Sequence, residues 1–129
     1  MLEEVIVSVE DRPGVLADVG ELLGSAGVNI QTFAATIQDD RAVVHLIVDD
    51  GEDAGEILKS NGFKFEGMRH VLAITLDDQP GELGNYCRKL ANAGVAISAA
   101  YVARRGGGES EVIFAVDELD VAEKVAEKV

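Results

Sequence analysis

Residues 11–30 read DRPGVLADVGELLGSAGVNI, and residues 78–97 read DQPGELGNYCRKLANAGVAI. Shifted by 67, Asp11, Pro13, Gly14, Leu16, Leu23, Ala26, Gly27, Val28 and Ile30 meet the same residue types again. That is nine identities in twenty positions without a gap. A repeat of this kind decides the fold before any single element is assigned. Two copies in 129 residues imply two units of about 65 residues, near the lower limit for independent folding. The division expected is 1–69 and 70–129.

Each copy is preceded by an alternating strand. Val5, Val7 and Val9 point one way with Ile6 and Ser8 opposite; Leu72, Ile74 and Leu76 alternate with Ala73 and Thr75. Period two with branched residues marks a half-buried strand. After each Pro-Gly, apolar residues recur at helical steps: Leu16, Val19, Leu23, Ala26 in one copy, and Leu83, Tyr86 or Cys87, Leu90, Ala93 in the other. Gly27 and Gly94 should end these helices as left-handed caps.

A second strand is expected at about 28–37 and 95–104. A turn at QDDR (38–41) leads to a third strand, AVVHLIV, and a longer loop RRGGGES (104–110) leads to its counterpart EVIFAV. The offset there becomes 68, so the second loop should be one residue longer, and any lid movement is best sought in it. Short helices follow at EDAGEILKS and LDVAEKVAEKV. Phe63 and Phe65 in GFKFEGMR then alternate as a fourth strand, which the second unit lacks. The fold class is α+β: two ferredoxin-like βαββαβ units, antiparallel sheets with helices on one face, the second without its final strand.

Fold alone assigns no function. The formal charge of −13, from 24 acids and 11 bases, opposes phosphate backbones and anionic membranes, so neither nucleic acid nor membrane is expected as a partner. The third strands lack the aromatic signature of RNA recognition. One cysteine, Cys87, excludes an internal disulfide and a CxxC pair. No stretch approaches the ~20 apolar residues of a membrane span, and MLEEVIVSVEDRPG has acids where a signal peptide has bases. A reduced, cytoplasmic setting is the expectation.

His45 and His70 are isolated and make a weak metal case; His70 reads as a solvated linker residue and His45 as an edge or partly buried histidine. Cys87 reads as packing. No catalytic arrangement can be assembled, so no catalytic residue, metal or cofactor is expected. A small acylphosphatase-like hydrolase would need a phosphate-cradling Arg loop, which is not recognisable.

The Pro-Gly corner is the remaining feature. A helix mouth offers unpaired N–H groups and a positive dipole end, a seat for a carboxylate. Asp11 beside it offers an acceptor for ammonium, so the corner suits an α-amino acid. The same residues also describe an ordinary cap, with Pro in the first helical turn and the carboxylate bonding a helix N–H, and on the residues alone that reading stands ahead.

These residues resemble the signature of ACT domains, small regulatory modules in which a strand ends in (Asn/Asp)-x-Pro-Gly-x-Leu and a helix leads to Gly-Val-Asn-Ile. The resemblance covers both units, and no enzyme domain accompanies them. It implies a stand-alone tandem ACT protein in which modules pair through their second strands and an effector, typically an amino acid, binds between them. Carried over, the first loop is Asp11, Arg12, Pro13, Gly14, Val15 and Leu16, with Asn29 and Ile30 at the opening of the second strand. The second loop is Asp78, Gln79, Pro80, Gly81, Glu82 and Leu83; Ala96 replaces the Asn. Asp11 stands where the family often has Asn, which sets repulsion toward a carboxylate unless Arg12 offsets it. Val9 stands where serine-sensing members have His. If one composite site survives, polar inventory favours joining Asn29 to the loop around Asp78. The expected function is a non-enzymatic sensor with one continuous sheet, a small amino acid at the interface between ACT units, a homodimeric state and a regulated enzyme as a possible partner. The alternative is a structural module that only dimerises or docks.

Overall fold

The computed structural model describes residues 2–127. The chain divides into two compact units, Met1–Arg69 and His70–Val129. Unit 1 runs β1 (Glu3–Glu10), α1 (Val15–Ser25), β2 (Ile30–Gln38), β3 (Arg41–Val48), α2 (Gly51–Ser60) and β4 (Lys64–His70). Unit 2 runs β5 (Leu72–Asp77), α3 (Glu82–Asn92), β6 (Ile97–Gly106), β7 (Glu109–Val116) and α4 (Leu119–Glu127). The last two residues of the expected final helix, Lys128 and Val129, lie outside the described residues.

The sheets are ordered β2-β3-β1-β4 and β5-β7-β6. The first is the ferredoxin-like order, with β3 antiparallel to both β1 and β2; the second repeats it through three strands. Among the described residues each unit carries a sheet of its own. β2 and β6 each end their own sheet, with one row of backbone groups left for another strand.

In unit 1, Val5, Val7 and Val9 face the helices and join Val15, Val19, Leu23, Val44, Leu46, Ala54 and Leu58 in one core. Each such aliphatic side chain contributes about 1.5–3 kcal/mol on full burial. In unit 2 the core is Leu76, Tyr86, Leu90, Val95, Val112, Phe114 and Ala122.

The helix stripes follow expectation at Val19, Leu23, Tyr86 and Leu90 and depart from it at their ends. Val15, Val19 and Leu23 turn inward on α1, while Leu16 is 44% exposed and its counterpart Leu83 51%. Ala26 and Ala93 are exposed as well. On α3 it is Tyr86, rather than Cys87, that is buried.

Both helices end in the same motif. Gly27 (φ 80) and Gly94 (φ 79) follow the last turn, Val28 N–H bonds Leu23 C=O at 2.9 Å and Val95 N–H bonds Leu90 C=O at 2.9 Å. This six-residue back-bond satisfies carbonyls that the helix leaves open.

The two hairpins are alike, contrary to the longer second loop expected. Gln38 pairs with Arg41 around Asp39 and Asp40 (φ 47 and 67), and Gly106 pairs with Glu109 around Gly107 and Gly108 (φ 62 and 80). Two-residue turns with positive φ match the twist of the flanking strands. The extra residue of unit 2 is Ala103, absorbed as a bulge where the register steps from Val102–Val112 to Arg104–Glu111.

Candidate functional site

The two Pro-Gly corners have one geometry. Arg12-Pro13-Gly14-Val15 is a type II turn: Val15 N–H reaches Arg12 C=O at 3.4 Å, and Gly14 has φ 87 and ψ −9. Gln79-Pro80-Gly81-Glu82 repeats it, with Glu82 N–H to Gln79 C=O at 3.2 Å and Gly81 at φ 90, ψ −15. Proline suits the second position of such a turn and glycine the third. Proline therefore stands before the helix instead of in its first turn, and glycine is the cap residue.

Neither corner is held by a carboxylate cap. The first helical bond of α1 runs from Asp18 N–H to Gly14 C=O at 2.9 Å, so the Leu16 and Ala17 amides precede it, as at any helix mouth. The aspartates lie three residues upstream of the cap, too early to reach those amides. Among the described residues Asp11 has no hydrogen bond or ion pair, and it is exposed.

A hollow of about 340 Å³ opens at the first corner, lined by Asp11, Arg12, Gly14, Val15, Leu16 and Ala17 from the turn and helix. Ala35, Thr36 and Ile37 of β2 and Ala42 of β3 complete it. One free carboxylate, a helix mouth and an apolar wall therefore share one space. Arg12 leans away from Asp11: its Nη2 donates to Asp18 Oδ2 at 2.8 Å, and its Nε lies 3.8 Å from Glu10.

The second corner is smaller, about 180 Å³, and includes Asp78, Gln79, Leu83, Val102, Arg105 and Ser110. Register makes the two hollows equivalent. Ile37 faces Ala42 as Arg105 faces Ser110, and Ala35 faces Val44 as Val102 faces Val112. Arg105 thus takes the place of Ile37, and its guanidinium bonds Asp78 through Nε at 3.2 Å and Nη2 at 2.8 Å. The carboxylate that is free in unit 1 is occupied in unit 2.

The remaining expected residues are placed apart from these hollows. Pro13, Pro80, Gly81 and Glu82 shape the corners without lining them. Asn29 is exposed, and Ile30 lines a separate apolar hollow of about 110 Å³ with Leu16, Val19, Phe33 and Leu46. Sequence reasoning missed Ala35, Thr36, Ile37, Ala42, Val102, Arg105 and Ser110. Their signal lay in the hairpin register, which places β2 and β6 beside the corners.

Other groups are structural. Glu4, fully buried on β1, accepts from Arg69 of β4 and lies 3.2 Å from Nδ1 of His45 on β3. His45 is thereby a partly buried hydrogen-bond partner of Glu4. His70 is exposed, at the boundary of the two units, and is the last residue of β4. Cys87 is half-buried beside the unit 2 core. Among the described residues no three His, Cys, Asp or Glu side chains gather as a metal site, and no helix is long and apolar enough to cross a membrane.

The repeated type II corners on ferredoxin-like units agree with what a family comparison finds: the ACT domain pair matches residues 1–128. The chain belongs to the ACT domain pair family. ACT domains are regulatory modules. Among solved structures, a protein of Bacteroides thetaiotaomicron superposes with TM-score 0.85 at 23% identity, over 98% of this chain and 86% of that one. The ligand-free regulatory subunit of aspartate kinase from Thermus thermophilus gives 0.74 at 16% identity, over 98% and 91%. The corresponding subunit from Thermus flavus gives 0.71 at 15%, over 98% and 90%. Identities this low establish the shared fold. Among curated proteins none matches the sequence.

Proposed function

We propose that this ACT pair is a non-enzymatic sensor whose first corner receives a small α-amino acid at an interface between ACT units. The observation that supports the reading is the unpaired Asp11 carboxylate beside the helix mouth in the 340 Å³ hollow. The ligand's ammonium bonds Asp11, its carboxylate meets the first-turn amides of α1, and a small side chain rests against Ala35 and Ile37. Arg12 swings from Asp18 to offset the charge of Asp11 toward the ligand carboxylate. A polar strand opening such as Asn29, presented by the facing unit, closes the site.

The facing unit belongs to a second copy in this reading. The free edge at β2 carries Phe33 and Ile37, 55% and 60% exposed, and a homodimer joined there covers both. Ligand binding then shifts the dimer, or its hold on a regulated enzyme, only to the extent that it binds one state more tightly. The test is a thermal-shift screen of the intact chain against the twenty amino acids, because a ligand selective for the native state raises Tm. The same exposed apolar edge also supports a purely structural dimerisation module, which a flat screen would favour.

A further inference from the structure

We propose that unit 1 holds a second site, adjoining the first corner through Arg12 and Val15, for a small oxyanion bearing carboxylate or phosphate groups and centred on Arg41. A polar depression of about 400 Å³ opens where β1 ends and β3 begins. Arg41, Arg12, Lys64, Asn61 and Ser8 line it, and Glu10 is its one acid. Unit 1 has five Lys and Arg residues in all, so three of them surround one hollow in a chain of charge −13.

Arg41 distinguishes the hollow from a chance gathering of bases. It is half-buried, yet among the described residues its guanidinium has no carboxylate partner. Its Nε donates to Ser8 Oγ at 2.7 Å and its Nη2 to the Ser8 carbonyl at 3.0 Å. Two of the five guanidinium N–H donors are used on neutral acceptors, and three remain. Ser8 itself is 5% exposed, so it fixes the fork in place. Arg12 pairs with Asp18 and with Glu10, the acid in the lining, and Lys64 pairs with Glu66, so both lend only part of their charge and neither is the anchor.

The repeat supplies an internal control. Where unit 1 sets Glu10 against Arg41, unit 2 sets Asp77 against Glu109, and Arg12 is replaced by Gln79. The sheet folds with two acids at this end, so the fold does not require the basic set. A pre-oriented guanidinium with no ion pair among the described residues, in a polar hollow, is suited to bidentate recognition of a carboxylate or phosphate.

The experiment is calorimetric titration of the intact chain with inorganic phosphate and, separately, with succinate, each at ionic strength matched with chloride. The expected result is saturable binding of at least one of the two, weakened about tenfold or more in Arg41→Gln and unchanged in Lys59→Gln, with both variants folded by circular dichroism. Arg41→Lys should recover only part of the affinity, because it keeps charge but lacks the fork. Asp11→Asn should not weaken this binding, because Asp11 lines only the hollow at the first corner, and that separates it from the amino-acid site. Binding of neither anion, or equal binding by wild type and Arg41→Gln, overturns the proposal.

Discussion

Arg105 stands on Asp78 with its Nε 3.2 Å from Oδ2 and its Nη2 3.0 and 2.8 Å from Oδ1 and Oδ2. The bulge at Ala103 sets the register that puts this side chain where unit 1 has Ile37. A guanidinium therefore occupies the position that a ligand ammonium would take. In the proposed account Arg105→Ala opens a second corner, and amino-acid titration should pass from one site to two per chain. The pair is largely exposed, so its loss should change stability by no more than about 1 kcal/mol. Unaltered stoichiometry in a folded variant would show that Arg105 is not what closes the corner.

Asp11→Asn should weaken the amino acid by about tenfold or more, since a charge-assisted bond is exchanged for a neutral one. No protein contact of Asp11 is lost, so Tm without ligand should stay within a degree or two of wild type. Calorimetry and a melt on the same sample check both halves.

Gly14→Ala tests the turn itself. At φ 87 a Cβ meets only the Arg12 Nη1 at 3.8 Å, an ordinary contact, so the cost is conformational. It should amount to about 1–2 kcal/mol, read from urea denaturation midpoints, with a parallel loss at Gly81→Ala.

Tyr86 is 2% exposed and its hydroxyl has no hydrogen-bond partner among the described residues. Its ring packs 5.4 Å from that of Phe114. Burial, with a smaller contribution from Cys87, raises its pKa above 10.0. A raised folded value favours the protonated form in the native state. The resulting stability is fully present below the unfolded pKa near 10 and is lost as pH rises through the folded one. Tyr86→Phe should raise stability at neutral pH by about 1 kcal/mol and should flatten this part of the alkaline limb. A loss of stability on this substitution would mean that the hydroxyl has a partner.

Arg69→Ala leaves the buried Glu4 carboxylate with His45 as its remaining partner among those described above. Removing one partner of a buried charge costs about 3 kcal/mol. Equilibrium denaturation measures it, and a change below 1 kcal/mol would show that the carboxylate is solvated or neutral.

What the sequence made legible is what repeats locally. The Pro-Gly turns, the glycine helix ends and the alternating strands each follow from a few neighbouring residues, and the doubled stretch supplied a second instance of each. What it hid depends on register. Counting residues gave a longer hairpin loop, while the backbone kept the same two-residue turn and placed Ala103 in a bulge. That bulge, remote from the motif in sequence, brings Arg105 to Asp78. Leu16 looked like a core residue by spacing, but its neighbour Val15 is the residue that turns inward, and Leu16 is left exposed. Nothing near Glu4 in the sequence marks it, because its partners His45 and Arg69 arrive from β3 and β4.

The most direct measurement is the thermal-shift screen of the intact chain with all twenty amino acids, followed for any hit by its decarboxylated and deaminated analogues. At least one amino acid should raise Tm in wild type, both analogues should fail, and Asp11→Asn should reduce the shift. No shift with any of the twenty, or equal shifts from the analogues, would contradict a corner that recognises ammonium and carboxylate together.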